Sequence, residues 1–260
     1  MAWGLVQSSH LNRLDSGEVT TIAKAFPSNV VAGNLLLAWF TWGYYGSVET
    51  PNGCADTVGS TWTRLPNTAT VDAANRQQAV LYWAIAAGSG PNTVTLTNNL
   101  ADRGNGAGWR NYPAAEVAEF SGNHASPADQ SNGASQAAVT AVSSGNITPI
   151  VDGCLVVSFT INTSAGTSAI TEESTVINDT GATDGCSSQY EVQASAAAIA
   201  GDFTATSGNY VTCVASFKPA SGATATATLT GTAAAGITEA DIVTGGKTII
   251  LTLTGGTFIA

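Results

Sequence analysis

The chain has 260 residues, of which 44% are hydrophobic and 10% are charged, and its formal net charge is -10 at pH 7. This length and apolar content suffice for one large domain, or for one domain with a small module, and they exclude a disordered polymer. The 8 Lys and Arg residues are scattered singly, so we expect binding neither to nucleic acid nor to an anionic membrane surface.

The sequence shows no pattern of membrane insertion or secretion. No run reaches about 18 apolar residues, the length that indicates a membrane-spanning helix. The first residues, from Met1 to Gln7, lack the basic region and the long apolar region of a secretory signal. The sequence therefore predicts a protein that is made in the cytoplasm and is either retained there or released without secretion.

Strand patterns separated by Gly-rich turns follow one another along most of the chain. Alternation of apolar and polar residues predicts strands over residues 18–24 and 92–97, and continuous apolar runs predict buried strands over residues 34–42 and 78–85. Further strands are predicted over residues 115–120, 137–142, 153–161, 171–177, 189–193 and 210–217. Only residues 194–200 have a helix-forming composition. These patterns predict an all-β fold, an antiparallel β-sandwich of the jelly-roll type.

The composition changes after Phe217. Residues 218–222 form a linker of Pro, Ser and Gly, and beyond them Ala and Thr alternate over residues 223–230 before an apolar run at 248–253. Two strands alone are only marginally stable in water. We therefore expect a main domain of residues 1–220 and a C-terminal β segment of residues 221–260, which pairs with the main domain, with a neighbouring copy or with residues beyond Ala260.

Four cysteines leave three disulfide pairings open. Cys54 and Cys186 lie in Gly-containing turns, and Cys154 and Cys213 lie inside apolar, strand-like runs. We expect that Cys54 and Cys186 bridge two loops, and that Cys154 and Cys213 are either bridged or inert thiols in the core.

Motifs for catalysis are sparse. Glu116 and Glu119 lie three residues apart on a predicted strand, so their side chains should point to opposite faces instead of acting as a pair. His10 and His124 have no ligand-like neighbours, the cysteines lack CxxC spacing, and no G-x-S-x-G motif occurs. The sequence therefore predicts no catalytic residue, no metal and no cofactor. Carboxylates that are distant in sequence but meet in a groove would support glycan hydrolysis, the third of three functional readings.

Two groups of aromatic residues lie in or beside predicted loops, one comprising Trp42, Tyr44 and Tyr45, the other comprising Trp109, Arg110 and Tyr112. Sugar rings stack on aromatic faces and hydrogen-bond to neighbouring polar groups, so these six residues are candidates for a glycan-binding site. The competing interpretation is that the rings close the open ends of the sandwich or pack at a subunit contact.

Several short motifs carry a resemblance to structural proteins of viruses. The segment from Gly236 to Gly255 resembles an Ig-like module of bacteriophage and environmental-virus structural proteins. The main domain is similar to β-sandwich domains of phage and bacterial surface proteins in three places: a Gly-Asn-Leu-Leu strand at residues 33–36, a Gly-x-Thr-Trp-Thr turn at 59–63, and a Val-Ala-Ser-Phe-Lys strand at 214–218.

The resemblance implies a virion structural protein, such as a capsid decoration, head-fibre or tail-associated component. Its expected partners are other virion proteins and copies of itself, with a trimer favoured, and its expected location is the virion, because phage proteins are assembled in the host cytoplasm. The alternative is an adhesion module at the cell surface or outside the cell that recognises a glycan. The Ig-like module normally continues past its Ile-Ile-Leu-Thr-Leu strand, so we expect residues 221–260 to be completed by another chain or to be truncated.

Overall fold

The structure is a computed structural model that describes residues 2–11, 21–43, 51–68, 70–72, 77–98, 113–163, 170–179, 185–220, 225–227 and 249–251. All regular elements of these residues are β-strands, which confirms the all-β class. The described part of the chain contains no helix long and apolar enough to span a membrane. The chain divides into two compact units, one of Ala2–Ala220 and one that contains Ser221–Ala260.

In chain order the strands are β1 (Gly4–Leu11), β2 (Thr21–Ala25), β3 (Leu35–Gly43), β4 (Pro51–Asp56), β5 (Thr63–Arg64), β6 (Thr70–Asp72), β7 (Gln77–Ile85), β8 (Thr93–Asn98), β9 (Ala114–Ser121), β10 (Asn123–Ile147), β11 (Leu155–Asn162), β12 (Ile170–Glu172), β13 (Thr175–Asp179), β14 (Cys186–Val192), β15 (Ile199–Pro219), β16 (Ala225–Ala227) and β17 (Ile249–Leu251).

Three antiparallel sheets build the larger unit. The front sheet has the order β2-β8-β4. The middle sheet has the order β1-β9-β3-β7-β5, with β6 also paired to β7, and the back sheet has the order β10-β15-β11-β14-β13, with β12 also paired to β15. The middle and back sheets pack face to face as a β-sandwich, and the front sheet covers the other face of the middle sheet.

The middle sheet is buried on both faces. The even-numbered side chains of β3, from Leu36 to Trp42, pack against the front sheet. The odd-numbered ones, from Leu35 to Trp39, pack against the back sheet, where Trp39 stacks on Phe159 with 5.7 Å between the ring centroids. A strand that is covered on both sides needs apolar residues at every position. This burial explains why β3 and β7 are continuous apolar runs instead of alternating patterns.

The back sheet is extended by a long two-stranded ribbon that folds over its outer face. β10 has 25 residues and β15 has 21, and the two strands pair antiparallel from Asn123↔Pro219 to Ile147↔Ile199. Register shifts interrupt the pairing, and beyond them the ribbon folds back. As a result Ile147 and Ile199 pack against Val156 and Val214 on the outer face of the sheet.

Two local expectations differ from the structure. Residues 194–198 form no helix, and β15 begins directly afterwards at Ile199, because this segment carries the chain from the back sheet into the ribbon. The predicted strand at 137–142 is only a part of β10. In the second unit, β16 and β17 pair in parallel through the partners Ala225↔Ile249 and Ala227↔Leu251.

The close approach of the ribbon to the back sheet leaves no room for a side chain at Gly201. A Cβ atom there would lie 2.3 Å from Ser158 Oγ and 3.1 Å from Ser144 Oγ. We expect Gly201→Ala to lower the free energy of unfolding by about 1–3 kcal/mol, since the ribbon must move away from β11. Gly53→Ala is the matched control, because nothing lies within 4 Å of a Cβ at that strand position. Urea unfolding of both variants measures the difference, and an equal loss in the two would contradict the folded-back ribbon.

Candidate functional site

Polar side chains lie between the middle and back sheets at one end of the sandwich, which we call the polar end. At this end, β1 ends beside the start of β9, and β3 ends beside the start of β7. In the back sheet, β11 ends beside the first residue of β14. At the opposite end the same interface is filled by apolar side chains such as Leu35, Phe120 and Leu155. Buried polar groups need partners or a function, so the polar end is where a site would be sought.

Glu116 is the central group of the polar end. The two-residue period of β9 places its side chain on the face that also carries Ala118 and Phe120, toward the back sheet. It is 3% exposed and accepts hydrogen bonds from Ser188 Oγ on β14 and, at 3.5 Å, from Asn178 Nδ2 on β13. Burial raises the pKa of Glu116 to about 8, although both hydrogen bonds act to lower it. The carboxyl is therefore mainly protonated at neutral pH.

The space beside Glu116 is small. His10 lies directly opposite Glu116 in the β1–β9 register, and both residues line a cleft of about 10 Å³ together with Leu11, Asn178 and Cys186. That volume holds about one water molecule. Small-molecule sites are usually some hundreds of Å³ in volume. A sugar ring therefore does not fit beside this carboxyl.

Among the described residues, Asp72 is the other carboxylate that is buried on the back-sheet side of the middle sheet, and it does not lie beside Glu116. Asp72 on β6 also faces the back sheet, where it accepts a hydrogen bond from Thr163 Oγ1. However, β3 and β7 separate β9 from β6, and three strand spacings of about 4.8 Å amount to about 14 Å. Paired carboxylates in glycoside hydrolases are roughly 5–9.5 Å apart. This geometry provides no pair of that kind from Glu116 and Asp72.

Glu119 points to the other face of the middle sheet, as the sequence predicts for residues three apart on a strand. It is 0% exposed and accepts hydrogen bonds from Gln7 Nε2 at 2.6 Å, Asn34 Nδ2 at 2.7 Å and the backbone amide of Val31 at 2.9 Å. These contacts tie β1 and the turn that precedes β3 to β9. All three donors belong to the protein itself, so the role of Glu119 is structural.

Two other polar side chains of the polar end have no hydrogen-bond partner among the described residues. They are the side-chain amide of Gln77 on β7 and the hydroxyl of Thr41, both of them buried. The indole N–H of Trp39 hydrogen-bonds to the thiol of Cys213. Trp39 and Thr41 share the back-sheet face of β3. Unpaired buried groups are normally satisfied by ordered water. At the polar end, buried polar side chains are therefore only partly paired within the described residues. The sequence gives no signal for this, because Gln and Thr are also common on surfaces.

The predicted aromatic site is only partly described by the structure. Trp42 is 1% exposed and packs between the middle and front sheets, so its assignment as a sugar-stacking ring is wrong: even-numbered positions of β3 face the front sheet. The other five candidates lie outside the described residues; they are Tyr44, Tyr45, Trp109, Arg110 and Tyr112. The strands that border their segments, β3 and β9, are neighbours in the middle sheet and meet at the polar end.

All four cysteines are free thiols. The predicted bridge between Cys54 and Cys186 is wrong, because Cys54 packs on the front side of the middle sheet and Cys186 on the back side. Cys213 pairs with Phe159 whereas Cys154 directly precedes Leu155, so about five residues of strand, or roughly 16 Å, separate these two thiols. Cys154 and Cys213 are buried thiols of the core, the second of their two predicted states. Burial also raises the pKa of the Cys54 thiol to about 12, so this thiol stays protonated at neutral pH and is not activated as a nucleophile.

The protonated state of Glu116 makes folding stability depend on pH. The ordinary carboxyl pKa is 4.5, so between about pH 5 and pH 8 the folded protein keeps a proton that the unfolded chain has released. Stability therefore falls as the pH rises, by roughly 1.4 kcal/mol per pH unit for this group, and levels off above about pH 8. In Glu116→Gln the neutral amide removes this contribution. Urea unfolding at several pH values compares the two slopes.

Equal slopes in the wild type and in Glu116→Gln would show that the carboxyl is ionised in the folded protein.

Comparisons with known proteins leave the assignment to the geometry. Within the described ranges, no group of three or more His, Cys, Asp and Glu side chains is placed to hold a metal ion. No protein-family model, no curated protein and no solved structure matches the chain. The geometry shows a buried, protonated carboxyl, that of Glu116, which accepts hydrogen bonds from Ser188 and Asn178 inside a β-sandwich.

Proposed function

We propose that the protein is a structural subunit of a larger protein assembly and acts by binding copies of itself and other subunits. The observation that carries the proposal is the chemistry of the sheet edges. The edge strand β1 has no Lys, Arg, Asp or Glu, and the edge strand β10 has Asp129 as its single carboxylate and no Lys or Arg in 25 residues. Monomeric β proteins usually protect edge strands with charged side chains, Pro or bulges, and residues 131–136 of β10 have none of these.

The low charge of the whole chain supports the same proposal. Only 10% of the residues are charged, compared with about 25% in typical soluble domains. A surface that is rich in Thr, Ser, Asn and Gly carries few charges, so less hydration of charged groups is lost when it packs against another subunit. A virion component, such as a capsid decoration, head-fibre or tail-associated protein, is the type of assembly subunit that the sequence resemblance favours.

Glycan binding is the second candidate, and one observation favours it. β3 ends at Gly43 and β9 begins at Ala114 as its neighbour, so the segments with Tyr44 and Tyr45 and with Trp109 to Tyr112 attach to the sandwich at the same end. A shared aromatic surface from both segments would suit a sugar ring. Hydrolysis of a glycan is less well supported, because the cleft beside Glu116 has room for about one water molecule and Asp72 lies three strands away in the middle sheet.

The assembly proposal predicts self-association of the purified full chain. Light scattering over a concentration series should give a molar mass that rises above the 26.2 kDa of one chain, toward a defined oligomer or an open-ended polymer. A mass that stays at one chain up to high concentration would contradict self-assembly. Binding on a glycan array with the same sample would then favour the second candidate. In that case we expect Trp109→Ala to weaken glycan binding.

A further inference from the structure

We propose that the central part of β10 is a homotypic contact, in which the edge strand of one copy pairs antiparallel with β10 of a second copy and joins their back sheets. The inference rests on the proposed function and names the surface through which it acts. β10 is the last strand of the back sheet. On the side away from β15 it makes no backbone hydrogen bond with the described residues.

Only one part of β10 is regular enough to accept a partner strand. Residues 131–136 pair with β15 without interruption, from Ser131↔Ala215 to Gln136↔Tyr210. Register shifts lie on both sides of this segment, and bulges of this kind discourage strand addition elsewhere along the edge. Within the segment, every second residue turns its backbone N–H and C=O away from β15, which leaves a row of groups that a new strand can bond.

The segment is held in position by the core behind it. Its neighbour β15 contributes Val211, Cys213 and Ala215 to the interface with the middle sheet, where they are buried. Ser131 Oγ additionally donates a hydrogen bond to the carbonyl oxygen of Pro66. A partner strand therefore meets an edge that is already ordered, which reduces the entropy lost on association.

Self-complementarity argues for a second copy as the partner. Ser131 to Gln136 contains no charge and no large apolar side chain. Residues opposite each other in an antiparallel pair lie on the same face of the sheet, so a twofold pair of β10 with its own copy is centred on a residue. Pairing centred on Ala134 places Ala134 opposite its own copy and Gly133 opposite Ser135. No like charges then face each other.

The nearest charge does not interfere with this contact. Asp129 accepts hydrogen bonds from the backbone amide of Ile150 at 3.1 Å and from Ser216 Oγ at 3.0 Å, so its carboxylate is bonded within the same chain. The backbone amide of Gly133 donates to Asn132 Oδ1 at 2.9 Å, and a partner strand would replace this local bond. The contact produces a dimer, and a larger assembly built on it contains an even number of copies.

The test uses the full chain and two lysine substitutions at exposed positions of β10. Ser135→Lys places a charge inside the regular segment, and Thr140→Lys places the same charge on the same strand beyond the register shift. By sedimentation equilibrium, we expect Ser135→Lys to weaken dimerisation by at least about tenfold and Thr140→Lys to leave it unchanged, because an edge charge opposes strand addition.

A positive test fixes the register. The variant Ala134→Cys brings the new thiol opposite its own copy in the dimer, and mild oxidation should give a covalent dimer on a non-reducing gel. Thr140→Cys should not cross-link.

The outcomes separate the surface from the function. If the wild type and both lysine variants associate equally and Ala134→Cys gives no covalent dimer, the β10 contact is wrong while the assembly proposal stands. If the wild type itself remains a monomer at every concentration, both are overturned.

Discussion

Burial of the middle sheet on both faces is the constraint on which the rest of the structure depends. It requires apolar side chains at successive positions of β3, β7 and β9, and it requires two further sheets to cover them. The large buried aromatic and aliphatic side chains of the described strands are concentrated in these two interfaces. Among the described residues, exposed large apolar side chains such as Val6 and Ile150 lie on an edge strand or outside the strands.

The same constraint determines the different states of two carboxyl groups on one strand. Glu119 faces the front side and receives three hydrogen bonds at 2.6–2.9 Å from β1 and the turn before β3. Glu116 faces the back side, where one hydroxyl and one distant amide are its donors, and burial dominates. A buried polar group either gains enough donors or changes its protonation state. Glu119 has gained enough donors, whereas Glu116 has changed its protonation state, although the two residues lie only three positions apart on β9.

Local sequence patterns could predict the fold class and the burial of β3 and β7, because continuous apolar runs occur where both faces are covered. They could not predict which sheet covers each face. Trp42 lies at the end of a predicted strand and was therefore a candidate for an exposed sugar-stacking ring, but its even position in β3 places it against the front sheet. Pairing of Cys54 with Cys186 failed for the same reason, since a third layer separates them. The length of β10 and the absence of a helix at residues 194–200, which have a helix-forming composition, depend on the folded-back ribbon, a long-range contact that no local pattern encodes.

The most direct test of the three-layer arrangement is native-state hydrogen exchange of the backbone amides. Strands buried on both faces open only with global unfolding, whereas covering strands at an edge open locally. The account predicts that the amides of β3 and β7 exchange most slowly, and more slowly than those of the front-sheet edge strands β2 and β4. Exchange of β3 as fast as that of β2 would contradict a middle sheet covered on both sides.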